Sequence, residues 1–151
     1  MTNKEKYMKL ALKEARKAFD KGEVPVGCII VKDDQIIARA HNLRQTKKSP
    51  LAHAEILAIQ KASKKLNTWI LENCQMYVTL EPCPMCAGTI LQSRIQKVIY
   101  ATHEPKFGAC GSILNLFDYK FNHHVEIEKG LLQEESAELL KNFFQILRQN
   151  K

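Results

Sequence analysis

Near the N-terminus, Met8, Ala11, Leu12, Ala15, Ala18 and Phe19 recur at the spacing of one helical face, with charged residues between them. Thr2 followed by Glu5 is a capping-box pair, and Gly22 closes the segment. The pattern then changes. Val26 to Val31 is β-branched and apolar, Lys32-Asp33-Asp34-Gln35 is polar turn chemistry, and Ile36 to Ala40 resumes the apolar run, which predicts a β-hairpin. A polar stretch, His41 to Ser49, leads to Pro50 and to good helix formers from Ala52 to Leu66, with Ile56, Ile59 and Ala62 on one stripe. Gln75 to Leu80 has strand character, Pro82 and Pro84 break it, Met85 to Leu91 reads as a helix and Lys97 to Ala101 as a strand. Thr102 to His124, interrupted by Pro105, Gly108 and Gly111, is the least periodic part, and a loop this long in a compact domain often carries function. Val125 to Ile127 predicts a short strand. From Glu134 onward Ala137, Leu140, Phe144 and Leu147 form one apolar stripe, and Leu139, Phe143 and Ile146 a second, so this helix is expected to meet more than one surface.

The alternation of strand and helix implies crossover units and a largely parallel inner sheet joined to an antiparallel hairpin, an α/β fold. A chain of 151 residues suits one domain, 1–151, with a core large enough to need no staples. With 45% hydrophobic and 26% charged residues, the composition excludes disordered and fibrous classes. No uninterrupted apolar segment has the length of a signal peptide core or a membrane span, so a cytoplasmic protein is expected. The five cysteines are odd in number and scattered apart from one pair, which argues against a disulfide framework. Cys28 and Cys74 lie in apolar runs and should pack as small hydrophobes, whereas Cys110, in the loop, is expected to be exposed. The formal charge of +7 attracts polyanions, but Lys4, Lys6, Lys9, Lys13, Lys17 and Lys21 read equally as the solvated face of the first helix.

Two segments carry candidate chemistry. His53 begins one predicted helix, and Cys83 and Cys86 begin another; Cys-x-x-Cys at a helix N-terminus meets unpaired backbone N–H groups that favour thiolate over thiol. Two thiolates and a neutral imidazole fill three tetrahedral positions around zinc and leave one for water, as in a catalytic site. Such a formally neutral unit needs a nearby base. In mid-helix Glu55 would point roughly 200° away from His53, but in a first turn facing a metal its long side chain can reach, where it would shuttle protons. Taken alone, Cys83-Pro84-Met85-Cys86 after a strand suits a thioredoxin-like disulfide centre as well as a metal. Taken together, His53-Ala54-Glu55 and Pro82-Cys83-Pro84-Met85-Cys86 form the joint signature of zinc-dependent nucleobase deaminases.

The resemblance reaches far beyond these residues. Glu23-Val24-Pro25-Val26-Gly27, Asn42, Tyr77 to Cys83, Met85-Cys86-Ala87-Gly88, Ser93-Arg94-Ile95, Gly111-Ser112, Asn122-His123 and Phe143-Phe144 resemble the bacterial tRNA-specific adenosine deaminases of the cytidine deaminase superfamily. That resemblance implies a three-layer α/β/α cytidine-deaminase-like fold with a mixed five-stranded sheet flanked by helices, one Zn2+ per subunit and a homodimer. It also implies conversion of the wobble adenosine in the anticodon loop of an arginine tRNA to inosine. Residue by residue, it would make Asn42 a ligand of the target nucleoside, Ala54 a backbone reader of the ring edge, and Val26 a wall against the flipped base. The flanking nucleotides would be held by Glu104 and Lys106 on one side and by Asn122, His123, Phe143, Phe144 and Arg148 on the other, with one of the two phenylalanines packed in the core. Arg44, Lys47, Lys48, Arg94, Lys106 and Arg148 are candidates for phosphate contacts. Three positions depart from the family pattern: Glu104 stands where Asp is usual, Leu51 where Thr is common, and His124 where Arg is common. Two other readings of the zinc signature are a free-base or nucleoside deaminase acting on guanine, cytosine or a pterin-like ring, and a non-catalytic zinc-stabilised RNA-binding module.

Overall fold

The structure, a computed structural model, describes residues 2–150. Helix α1 (Asn3–Asp20) starts at Thr2, whose side chain accepts from the Glu5 N–H, as the capping-box spacing predicts. Strands β1 (Gly27–Lys32) and β2 (Gln35–His41) form the hairpin, with Asp33 and Asp34 both at positive φ (51° and 59°), the geometry of a type I′ turn. A single helical turn, α2 (Arg44–Lys47), precedes α3 (Ala54–Leu66), β3 (Cys74–Leu80), α4 (Pro84–Gln92) and β4 (Lys97–Thr102). A short 3-10 turn at Leu116–Asp118 leads to β5 (Glu126–Lys129) and α5 (Gln133–Gln149).

The five strands lie in the order β2-β1-β3-β4-β5. β1 is antiparallel to both β2 and β3, while β3, β4 and β5 are parallel, so the expected hairpin-plus-parallel arrangement is present. Both faces of the central strands are apolar, and the alternation sorts them. Cys28, Ile30, Met76, Val78, Val98 and Tyr100 share a cluster with Ala54, Ala58, Ala62, Ala87 and Ile90 of α3 and α4. Ile29, Val31, Tyr77, Ile99 and Ala101 share another with Tyr7, Met8 and Ala11 of α1. The result is the three-layer α/β/α sandwich, with α1 and α5 on one face and α3 and α4 on the other.

Four features differ from the sequence expectation. The turn α2 lies inside the stretch expected to be a polar connector; its capping position is Leu43, which has no suitable side chain, and the buried Glu23 carboxylate accepts the Gln45 and Thr46 N–H groups instead. Cys110 is buried, not exposed, because its N–H is drawn inward to Glu81 and its carbonyl accepts from the Tyr100 hydroxyl. The link from β4 to β5 is irregular, as expected, except for the 3-10 turn at Leu116–Asp118, which the sequence does not predict and which packs Phe117 into the core beside α4. On α5 only part of the second stripe, Leu139 and Phe143, is buried, while Phe144 and Leu147 of the first and Ile146 of the second stay exposed.

α1 crosses β1 so closely that a Cβ on Gly27 would overlap the Ala11 carbonyl oxygen and the Ala15 nitrogen, both backbone atoms. Gly27→Ala is therefore expected to destabilise the fold by about 3 kcal/mol or more, at the upper end of overpacking, seen as a lower denaturant midpoint at unchanged slope.

Candidate active site

β2 and β3 each run antiparallel to β1, so their C-terminal ends share one edge of the sheet. The helices that follow, α3 and α4, both present their N-termini there, and two positive helix ends meet at one cleft. His53 and Cys83 are the N-cap residues of α3 and α4, both in extended backbone conformation, and Cys86 lies one turn into α4. Pro84 at the first helical position gives up an N–H that has no helical partner there.

The His53 Nδ1 atom is 3.7 Å from the Cys83 sulfur and 3.5 Å from the Cys86 sulfur, and the three donor atoms lie within 4.8 Å of one another. A tetrahedron with a sulfur at about 2.3 Å and a nitrogen at about 2.0–2.1 Å from zinc has an N···S edge of about 3.6 Å, so the donor set and its spacing fit that ion. The charges point the same way. Cys83 is held down to about 4, first by the hydrogen bond from the Cys86 thiol and further by His53. Cys86 is pushed far up, first by that same contact with Cys83 and then by burial. Two sulfurs this close cannot both ionise unless a cation lies between them.

Glu55, in the first turn of α3, is 4% exposed and lines the same cleft. Burial pushes its carboxyl up to about 7, and a cation bound beside it would draw it down. The cleft has a volume of about 710 Å³ and is walled by Val24, Val26, Leu80 and Met85, with Asn42, Arg44, Pro50, Glu81, Glu104, Phe107 and Phe144 at its sides. Asn42 is buried and oriented on both sides: its Nδ2 donates to the Val24 carbonyl (3.2 Å) and its Oδ1 accepts the Arg44 N–H (3.2 Å). Ala54 is fully buried and lines the cleft. Glu104 lines the cleft while its Oε1 accepts the Lys106 N–H at 3.0 Å.

Of the remaining candidates only Phe144 reaches the cleft. Lys106, Asn122 and Arg148 are exposed and do not line it. His123 donates from Nε2 to the Ile95 carbonyl at 2.7 Å, which ties its ring to the body of the fold. Of the two phenylalanines, one of which is expected to pack in the core, Phe143 is the packed one: it is 8% exposed and lies edge-on to Phe19 of α1 with ring centroids 5.8 Å apart. Its neighbour Phe144 keeps 40% of its surface and reaches the cleft. A second, more open groove of about 450 Å³, lined by Lys97, Phe117, His124 and Glu128 among others, shares no residue with the cleft. Sequence reasoning missed Phe107, Pro50 and Glu81. An acidic residue between a strand end and a ligand motif was the available signal for Glu81, but its hydrogen-bond donors come from far along the chain.

The family model of MafB19-like deaminases matches residues 2–148. A tRNA-specific adenosine deaminase of Bacillus subtilis is 51% identical over 152 residues, covering 100% of this chain and 94% of the relative. One from Aquifex aeolicus is 51% identical over 148 residues, covering 97% of each chain. A structure from work on A-to-I editing by tRNA:A34 deaminases at the wobble position superposes with a TM-score of 0.86 at 41% identity, over 89% of this chain and 98% of that one. With its whole length so matched and its donor triad and acidic side chain in one cleft, the chain belongs to the deaminases, and among them to the tRNA-specific adenosine deaminase family.

Proposed function

We propose that this enzyme hydrolyses the wobble adenosine of an arginine tRNA with an ACG anticodon to inosine, using one zinc per chain held by His53, Cys83 and Cys86. The observation that carries this reading is the placement of three soft and borderline donors beside a buried carboxylate, Glu55, in a cleft large enough for a nucleobase. Zinc bound there would supply Lewis-acid activation of water. The chain's own residues do the rest. Glu55 accepts a proton from the attacking water as the C6–O bond forms and gives it to ring nitrogen N1. It then takes the remaining proton from the new C6 hydroxyl and passes it to the departing amine, which leaves as ammonia as the C6–N bond breaks and the C6 carbonyl forms. Val24, Val26 and Leu80 exclude bulk water from the ring, and Asn42, fixed by its two hydrogen bonds, orients the nucleoside.

An adenine must leave its stack to enter such a cleft, and an anticodon loop offers bases already unpaired, which lowers that penalty. Arg44 at the rim and the net charge of +7 suit a phosphate backbone. A homodimer would bury some of the exposed large apolar side chains, among them Leu51, Trp69 and Ile113, each about 60% exposed (59%, 62% and 61%). A cytoplasmic location follows from the substrate, and no helix among the described residues is long and apolar enough to cross a membrane.

Incubation of the zinc-loaded protein with arginine tRNA bearing an ACG anticodon is expected to yield inosine at the wobble position, read by sequencing. Its KM should rise steeply with salt, about tenfold or more between 50 and 200 mM. Turnover of free guanine, cytosine or adenosine at salt-insensitive rates, with no change in the tRNA, would overturn the reading.

A further inference from the structure

We propose that Glu81 is a positioning residue of this enzyme: its buried carboxylate is the receptor on which the segment 103–112 is built, and that segment forms one wall of the cleft. The inference rests on the deaminase reading of that cleft.

The Glu81 side chain has no exposed surface. Its Oε1 accepts the Glu104 N–H at 3.0 Å and the Ser112 hydroxyl, and its Oε2 accepts the N–H groups of Cys110 and Ser112, each at 3.0 Å. Among the described residues no Lys or Arg pairs with it; the nearest basic atom is Nδ1 of the half-exposed His103, at 3.6 Å. A carboxylate buried without a cation is strongly disfavoured unless converging donors satisfy it. Here three backbone N–H groups from an irregular segment do so, and those same groups would be left without partners if the carboxylate were removed.

The anchor is rigid. Glu81 follows the last residue of β3, its N–H donates to the Thr102 carbonyl at 2.9 Å, and the Ala109 N–H donates to the Pro82 carbonyl at 2.9 Å. The segment therefore leaves β4 beside Glu81 and returns to the residue just before the ligand Cys83. At the closest approach stands Gly108, where any Cβ would overlap the Glu81 carboxylate and the Glu104 carbonyl oxygen. Between these two fixed ends lie Glu104 and Phe107, both lining the cleft, with Phe107 66% exposed. Displacing the segment would change the wall that receives the substrate while leaving His53, Cys83, Cys86 and Glu55 on α3 and α4.

Glu81→Gln in the zinc-loaded full chain replaces one acceptor oxygen with an NH2 group facing N–H donors. It is expected to raise KM for tRNA about tenfold and to speed amide hydrogen exchange at Cys110 and Ser112 by about tenfold or more, with kcat within about threefold of wild type. Gly108→Ala, which alters no charge and no hydrogen-bonding group, should reproduce the same KM-against-kcat split. Val98→Ala, a core truncation that removes no hydrogen bond to the segment, should lower the melting temperature without moving KM. Unchanged exchange and KM in Glu81→Gln, or losses that merely track melting temperature as in Val98→Ala, overturn the proposal. If the wild-type chain does not deaminate tRNA, the deaminase reading fails, and the exchange rates at Cys110 and Ser112 still decide whether Glu81 positions the segment.

Discussion

Glu55→Gln is expected to lower the single-turnover rate of inosine formation by on the order of 10³- to 10⁴-fold, while zinc content and melting temperature stay close to wild type. Gln has the shape of Glu and keeps an acceptor oxygen, so the packing of a side chain only 4% exposed in the first turn of α3 is conserved. What it loses is the ability to take up and release a proton. Hydrolytic deamination needs that ability at each stage, from water to ring nitrogen to departing amine, and a substitution blocking all of them acts on the chemical step. KM should therefore change little, since the walls that bind the ring are formed by other residues. Inosine formation within tenfold of wild type would refute the assigned role. Loss of zinc together with activity would show instead that Glu55 supports the ligand set.

The two motifs that identify this site were legible because each is local. His53 and Glu55 sit within one helical turn and Cys83 and Cys86 within another. Pro84 marks the entrance of α4, whereas Pro50, read as the entrance of the other helix, lies in a turn ahead of α3, which starts at Ala54. Their meeting was legible only through the resemblance. Strand alternation places α3 after β2 and α4 after β3, but it does not show that β1 lies between β2 and β3, which brings both helix N-termini to one edge. The hairpin turn was readable from Lys32-Asp33-Asp34-Gln35, since Asp tolerates positive φ, but the register shift between Ile30 and Val31 was not. What could not be read depends on residues distant in sequence. α2 is a helix because Glu23 caps it from outside, and Cys110 is buried because Glu81 collects its N–H. The two stripes of α5 look alike in sequence, yet only the one facing Phe19 of α1 is covered in part, which separates Phe143 from Phe144. Asn122 and His123 resemble the family in sequence but do not reach the cleft, because the segment carrying them packs near Ile95.

Cys86→Ala is expected to abolish both zinc binding and activity, weakening zinc by roughly 10³-fold or more because one of the three protein donors is lost outright. Its sulfur is buried one turn into α4, 3.5 Å from His53 Nδ1, and no other cysteine is in place to substitute for it. In the wild-type chain, zinc binding to the folded form should raise stability by RT ln(1 + [Zn]/Kd), so a chelator should lower the melting temperature. Cys86→Ala should melt at a chelator-independent temperature. That temperature should fall somewhat below the chelated wild type's, since truncation removes the hydrogen bond that the Cys86 thiol gives the Cys83 sulfur and empties a fully buried position. The same experiment separates the metal from the redox reading of Cys83-Pro84-Met85-Cys86. In a disulfide centre, chelation would leave the wild-type melting temperature unchanged, both thiols would alkylate readily, and oxidation would close a reversible bond. In a zinc site, alkylation is slow until the metal is removed, because the thiolates are already committed as ligands.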